Sequence, residues 1–328
     1  MEIAALKNQI FSIQNEDDFF RIAKEVFLFQ YAHNSTYQSF VNHLRIAPAH
    51  IQDVADIPFL PIEFFKSHQL ITDTICTDFH FRSSGTTGTN TSKHYVTDLE
   101  MYHQSFRLGF AHFFGSPTDY CHLALLPSYQ ERGGSSLIFM VEDFINKSHY
   151  SQSGFYLHAN EALKSVLKKN IAEKIPTILW GVSYALLDWA EENPLPLQDV
   201  KIIETGGMKG RRKEITRTEL HETLKNAFHV SQIYSEYGMT ELLSQAYLLE
   251  KELFTTPPWM KIFIRDTNDP LSYIPDGKTG GINIIDLANI HSISFISTQD
   301  LGKKHNATTF EVLGRFDNSD VRGCNLLL

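Results

Sequence analysis

Cysteine and positive charge are both scarce in this sequence, and each shortage closes off a class of explanation. Three cysteines, Cys76, Cys121 and Cys324, are odd in number, scattered, and without the paired spacing of a disulfide framework or a metal site. A reducing compartment, the cytoplasm, fits them. The 29 Lys and Arg are outnumbered by 38 Asp and Glu, for a formal net charge of -9. That balance removes the electrostatic basis for binding nucleic acid or an anionic membrane surface. Residues 1–15 lack a basic segment followed by a sustained apolar one, and no later stretch approaches a membrane span. None of the 15 histidines forms the helical pair with a glutamate that a zinc enzyme needs. Repeats and low-complexity tracts are absent, and 42% hydrophobic with 20% charged residues argues for a globular chain rather than a disordered one.

At 328 residues the chain can bury a large core, with one large domain and a lobe or two. Residues 1–80 mix helical patches with proline-containing segments such as Ile57-Pro58-Phe59-Leu60-Pro61. Proline restrains its own backbone and that of the residue before it, so a helical lobe joined by an extended connector is expected. Residues 81–256 alternate short apolar runs with helical patterns. Strands are expected over 121–126, 177–180, 201–205 and 230–234. Between them, Asn160 is placed to cap a helix with Leu163, Val166, Leu167 and Ile171 on one face. Thr216 and Glu219 stand at capping-box spacing before the stripe Leu220, Leu224, Ala227 and Phe228. This alternation predicts an α/β fold with mainly parallel sheet and crossover helices. Residues 257–328 change character near Pro257-Pro258. Short β-like runs at 280–286, 292–297 and 309–313 predict a small, more antiparallel β subdomain.

One segment stands out chemically. Ser83-Ser84-Gly85-Thr86-Thr87-Gly88 follows strand-like residues 78–81, which sets flexible backbone and four hydroxyls at the end of a strand. Glycines let backbone amides approach an anion, and hydroxyls add donors to phosphate oxygens. The glycine and lysine spacing is not that of a P-loop. Taken alone, the run is read equally well as a solvated loop.

Other segments in the same order break that tie. Ser83 to Gly88 resembles the nucleotide loop of the adenylate-forming superfamily of acyl-CoA synthetases, adenylation domains and firefly luciferase. Tyr237-Gly238-Met239-Thr240-Glu241 resembles its Tyr-Gly-x-Thr-Glu segment, Thr298-Gln299-Asp300 its ribose-binding segment, and Gly314-Arg315-Phe316-Asp317 its Gly-Arg-x-Asp segment. Within that superfamily the chain is similar, from about Pro58 onward, to the LuxE family of acyl-protein synthetases of bacterial luminescence. Leu126-Pro127-Ser128-Tyr129, Gly133-Gly134-Ser135-Ser136-Leu137, Glu204-Thr205-Gly206-Gly207-Met208-Lys209-Gly210-Arg211-Arg212 and residues 235–244 carry that likeness.

The resemblance implies the superfamily's N-terminal-domain fold, ATP and Mg2+ as cofactors, and a fatty acid or other carboxylic acid as substrate. It implies that Ser83, Ser84, Gly85, Thr86, Thr87 and Gly88 wrap the phosphates, that Thr240 touches the α-phosphate, and that Glu241 helps hold Mg2+. Gly206, Gly207, Tyr237 and Gly238 would line the adenine slot, and Asp300, with Arg315 beside it, would take the ribose hydroxyls. An acyl-reductase or acyltransferase partner goes with the family. The expected activity is that of an acid–thiol ligase that makes an acyl-adenylate and passes the acyl group to its own Cys324 as a thioester. Two alternatives stay open: transfer to coenzyme A or an acyl-carrier protein, and a non-catalytic nucleotide-binding subunit of a biosynthetic complex.

Two departures from the superfamily pattern matter. Four residues separate Gly88 from Lys93, more than the usual interval to the phosphate lysine, and only five residues follow Gly323. The usual lysine-bearing C-terminal lobe is therefore expected to be absent, with Mg2+, Lys93, Lys209, Arg132 or a partner subunit supplying its positive charge. Arg211-Arg212-Lys213 is expected as a solvated helix start. Cys324 follows Arg322, a cation able to favour its thiolate. Cys76 and Cys121 are expected as core thiols. Trp180, Gly181, Tyr184, Leu186 and Leu187 are read either as an acyl-chain pocket or as ordinary core.

Overall fold

The computed structural model describes residues 3–72, 77–83, 91–128, 130–131, 133–207, 212–213, 215–250 and 253–316. The chain opens with three helices, α1 (Ile3–Ile10), α2 (Glu16–His33) and α3 (Ser35–His43). Asn15 caps α2 by accepting from the Asp18 amide, and Glu16, Asp17 and Asp18 place negative charge at the positive end of the helix. Phe19, Ile22, Ala23, Val26 and Phe27 recur at three- and four-residue spacing and are buried along one stripe. A short β1 (Leu60–Pro61) and α4 (Phe64–Ser67) lead to a two-stranded ribbon, β2 (His80–Arg82) and β3 (Lys93–Tyr95), and then to α5 (Leu99–Phe114).

The α/β part runs β4 (Cys121–Leu125), α6 (Ser136–Lys147), β5 (Gly154–Phe155), α7 (Asn160–Ala172), β6 (Thr177–Val182), α8 (Ser183–Glu192), β7 (Val200–Thr205), α9 (Arg217–Phe228) and β8 (Tyr234–Tyr237). The remaining strands are β9 (Ala246–Glu250), β10 (Leu253–Thr255), β11 (Met260–Arg265), β12 (Thr279–Asp286), β13 (Phe295–Lys304) and β14 (Thr309–Arg315). Strands order as β11-β12-β13-β14-β10-β9-β8-β7-β6-β4-β5. The pairs from β5 to β8 are parallel, those from β8 through β9 to β11 antiparallel, and β1 adds parallel to β13. Parallel pairing needs crossovers, which the intervening helices supply, and it buries both faces: β4 and β6 are buried at every residue. The strands on either side of Pro257 belong to one hydrogen-bonded sheet, with Phe254 opposite Phe310.

Among the expected strands and helix caps, structure and expectation part in three places. The strand expected over 230–234 starts only at Tyr234, because His229 ends α9 in a left-handed conformation and the Val230 amide returns to the Lys225 carbonyl. The strand expected over 292–297 starts at Phe295, since the Ser292 and Ser294 amides are taken by Asn289 and by the buried Gln30 side chain. Asn160 is the first residue of α7 rather than its cap, and its amide reaches Glu192 instead. The capping box of Thr216 and Glu219 on α9 is present.

Candidate functional site

Chemistry-bearing residues gather where the parallel strands end at their carboxyl termini, the usual binding edge of such a sheet. The ribbon contributes the neck of the Ser83–Ser92 loop. The Ser83 amide donates to the Ser92 carbonyl at 3.1 Å, and the Ser92 amide to Ser83 Oγ at 3.0 Å. Arg82 and Lys93 pair across the ribbon, and the Arg82 amide donates to the Gly134 carbonyl at 2.7 Å. Gly134 has a φ of +81°, a conformation that favours glycine. Ser84, Gly85, Thr86, Thr87 and Gly88 lie outside the described residues. So do Arg132, Lys209, Arg211, Asp317, Cys76 and Cys324.

From Ser92, just before β3, the side chains alternate: Ser92 and His94 are buried, and Lys93 between them is exposed. This buried pair meets the turn after β8. The Ser92 side chain stands toward the Glu241 carboxyl group and favours its charged form. His94 Nδ1 lies 2.8 Å from the Thr240 carbonyl oxygen, which can only accept, so Nδ1 carries the proton. Glu241 is 6% exposed. Burial raises its pKa, against the opposing effects of the Ser92 side chain and the charges of Arg315 and Lys66.

The second corner lies where the Tyr237 side chain, at the end of β8, reaches β13 and β14. Tyr237 donates its hydroxyl proton to Asp300 Oδ2 at 2.7 Å, and Arg315 Nε donates to Asp300 Oδ1 at 3.2 Å. Asp300 and Arg315 are cross-strand partners; the carboxylate is buried and the guanidinium exposed. The Tyr237 ring packs against Phe254 and Phe310, with centroids 5.7 and 5.5 Å away. Burial and the Asp300 charge push its phenol pKa well up. Asp300 retains acceptor capacity beyond these two donors.

Gly206 and Gly207 follow β7 directly. Gly206 has a φ of +72°, and a Cβ on Gly207 would meet nothing within 4 Å, so this edge is open. At Gly238 a Cβ would come within 2.3 Å of Glu236 Oε1, whose carboxylate is held by Thr205. Behind this edge, Ser183 donates to Glu204 at 2.9 Å, and His221 and Arg217 lie 3.7 and 3.9 Å from the same carboxylate.

Three other expectations find their place. Arg212 is not at a helix start: it forms a forked pair with Glu191 and reaches Asp188, both on α8, while α9 begins only at Arg217. Trp180, Tyr184, Leu186 and Leu187 are buried in the main core, and Leu186 packs so close that a Cβ on Gly181 would come within 2.6 Å of it. Cys121 is a buried free thiol whose pKa burial raises. Sequence reasoning missed His94 and Asn289. Asn289 donates to the Glu241 carbonyl at 2.7 Å, and no local pattern marks either residue.

Against known proteins, the sequence model of the family "Acyl-protein synthetase, LuxE" matches residues 193–328. No curated protein matches the sequence at a significant level. Among solved structures, a 2-hydroxyisobutyryl-CoA ligase in an open conformation with 2-HIB-AMP and CoA is similar over 92% of this chain and 70% of its own, at 13% identity and a TM-score of 0.67. The ATP-bound MatB from Rhodopseudomonas palustris is similar over 72% of this chain and 47% of its own, at 16% identity and a TM-score of 0.51. The chain thus has the α/β fold of adenylate-forming ligases, and over residues 193–328 it is similar in sequence to the LuxE acyl-protein synthetases.

Proposed function

We propose that this protein activates a carboxylic acid with ATP to form an acyl-adenylate. The observation that carries this reading is the assembly of the Ser83–Ser92 neck, the Thr240–Glu241 turn and the Asp300–Arg315 pair at one sheet edge, all from segments with adenylate-forming counterparts. The substrate carboxylate oxygen attacks the α-phosphorus, the bond from that phosphorus to the β-phosphate's bridging oxygen breaks, and pyrophosphate leaves. Thr240 would orient the α-phosphate, Asp300 would accept from the ribose hydroxyls, and Gly206 and Gly207 would leave room for the base beside Tyr237, while Gly238 makes room for the Glu236 carboxylate. Positioning and electrostatics carry such a reaction. The buried carboxyl of Glu241, which burial disfavours as an anion, suits an oxygen-seeking cation, and Mg2+ would neutralise phosphate charge there.

Transfer of the activated acyl group is the second step. A long-chain fatty acid is the substrate that the LuxE likeness favours, and the Cys324 thiolate would attack the acyl carbon, releasing AMP and leaving a thioester. The competing acceptor is coenzyme A, which the similar 2-hydroxyisobutyryl-CoA ligase holds.

Acid-dependent exchange of labelled pyrophosphate into ATP, measured over a panel of acids, tests the activation step. Its absence with every acid, despite ATP binding, overturns the proposal in favour of a nucleotide-binding subunit. Hydroxylamine-labile acyl label on wild type but not on Cys324→Ala tests the carrier step. Product release by Cys324→Ala with coenzyme A assigns the acceptor otherwise.

A further inference from the structure

Building on that reading, we infer that His94 and Asn289 are positioning residues, which hold the backbone of Thr240 and Glu241 against the neck of the Ser83–Ser92 loop. Thr240 and Glu241 lie in a turn, outside any helix or strand, so their carbonyls have no ladder to satisfy them. Each receives instead a buried side-chain donor from a distant part of the chain: His94 Nδ1 on Thr240 at 2.8 Å and Asn289 Nδ2 on Glu241 at 2.7 Å. Both donors are essentially inaccessible to solvent, at 0% and 1% exposure.

The two donors are themselves held. His94 lies on β3 two residues after Ser92, so one short extended stretch brings Ser92 toward the Glu241 carboxyl and His94 to the preceding carbonyl. Phe65 packs edge-on to the imidazole, with centroids 5.5 Å apart. Burial lowers the His94 pKa to about 4, which keeps the ring neutral in its single-donor form near neutrality. Asn289 is fixed through its own carbonyl by Gln30 of α2, which also donates to the Ile290 carbonyl at 3.0 Å and accepts from the Ser294 amide at 3.1 Å. The N-terminal helices therefore act on the site through a continuous buried path, Gln30 to Asn289 to Glu241. A change at His94 shifts the distance between loop neck and acidic turn without removing any group that would touch substrate.

Two substitutions of His94 separate this role from bulk packing. His94→Leu fills the space but removes the donor, whereas His94→Asn keeps an N–H near the position of Nδ1. The readouts are acid-dependent pyrophosphate exchange and amide hydrogen exchange followed by mass spectrometry. His94→Leu is expected to lower kcat about 10- to 100-fold while KM for ATP stays within about threefold. It is also expected to speed amide exchange over residues 91–97 and 238–244 together, and His94→Asn to restore both. Unchanged amide exchange in both segments of a folded His94→Leu protein overturns the inference, as does equal damage from Leu and Asn. If His94→Leu does not fold, Asn289→Ala, which removes the donor, against Asn289→Gln, which keeps an amide N–H, serves the same comparison at the adjacent carbonyl. Wild-type protein without any acid-dependent exchange would remove the proposed activity, while the amide exchange data would still decide the contact.

Discussion

Asp300 and Glu241 are two buried carboxylates within reach of the same Arg315, yet their surroundings differ. Asp300 takes direct hydrogen bonds from Tyr237 and Arg315. Glu241 faces the Ser92 side chain, with its charged neighbours farther off, and burial dominates, raising its pKa. Asp300 is balanced by direct donors, whereas among the described residues Glu241 has no cation in direct contact with its carboxylate. Buried carboxylates tolerate such an imbalance mainly where function uses it.

The largest expected effect comes from breaking the unbalanced corner. Glu241→Gln should reduce acid-dependent pyrophosphate exchange by about a hundredfold or more. It should leave folding intact or stabilise it, because a neutral amide replaces a carboxyl whose ionisation burial disfavours. Burial also sets the sign with pH. A raised folded pKa means that the unfolded chain gives up its proton first, so wild type loses stability as pH climbs from the ordinary carboxylate range through the raised folded value, and the Gln variant does not. Urea titrations of both proteins at stepped pH check this; a variant less stable than wild type at every pH would sink the distinction.

Asp300→Ala attacks the balanced corner and should cost stability as well as binding. It strands the buried Tyr237 hydroxyl, worth about 1–3 kcal/mol, and is expected to raise KM for ATP about tenfold by a lost hydrogen bond. Thermal unfolding with and without ATP separates the two.

A broader pH effect comes next. Burial lowers His94, His122 and His291 to about 4. Each stays neutral when folded but takes a proton when unfolded below about 6.5, so stability is full above that pH and falls toward pH 4. The slope is up to about 1.4 kcal/mol per pH unit for each histidine. A flat denaturant midpoint from pH 7 to 4.5 would refute it.

The smallest effect calibrates the others. Thr216→Ala removes the cap of α9, away from both carboxylates, and should cost about 1 kcal/mol with pyrophosphate exchange unchanged.

Much of this was legible without coordinates where the cause is local. The α9 capping box, the buried cores of β4, β6 and β7, and the ordered nucleotide-type segments arise from side-chain chemistry and short-range periodicity. The beginnings of β8 and β13 were not legible, because a left-handed His229 and the Gln30 side chain take amides that apolar character alone would assign to a ladder.

The sequence by itself determined which groups are available: hydroxyls and glycines in one loop, a Thr-Glu turn, an Asp and an Arg on late strands. Only the tertiary structure decided which carboxylate is balanced and which is not, and that His94 and Asn289 hold the turn between them. Those outcomes depend on burial and on hydrogen bonds between residues 146 and 48 positions apart, which no pattern along the chain encodes.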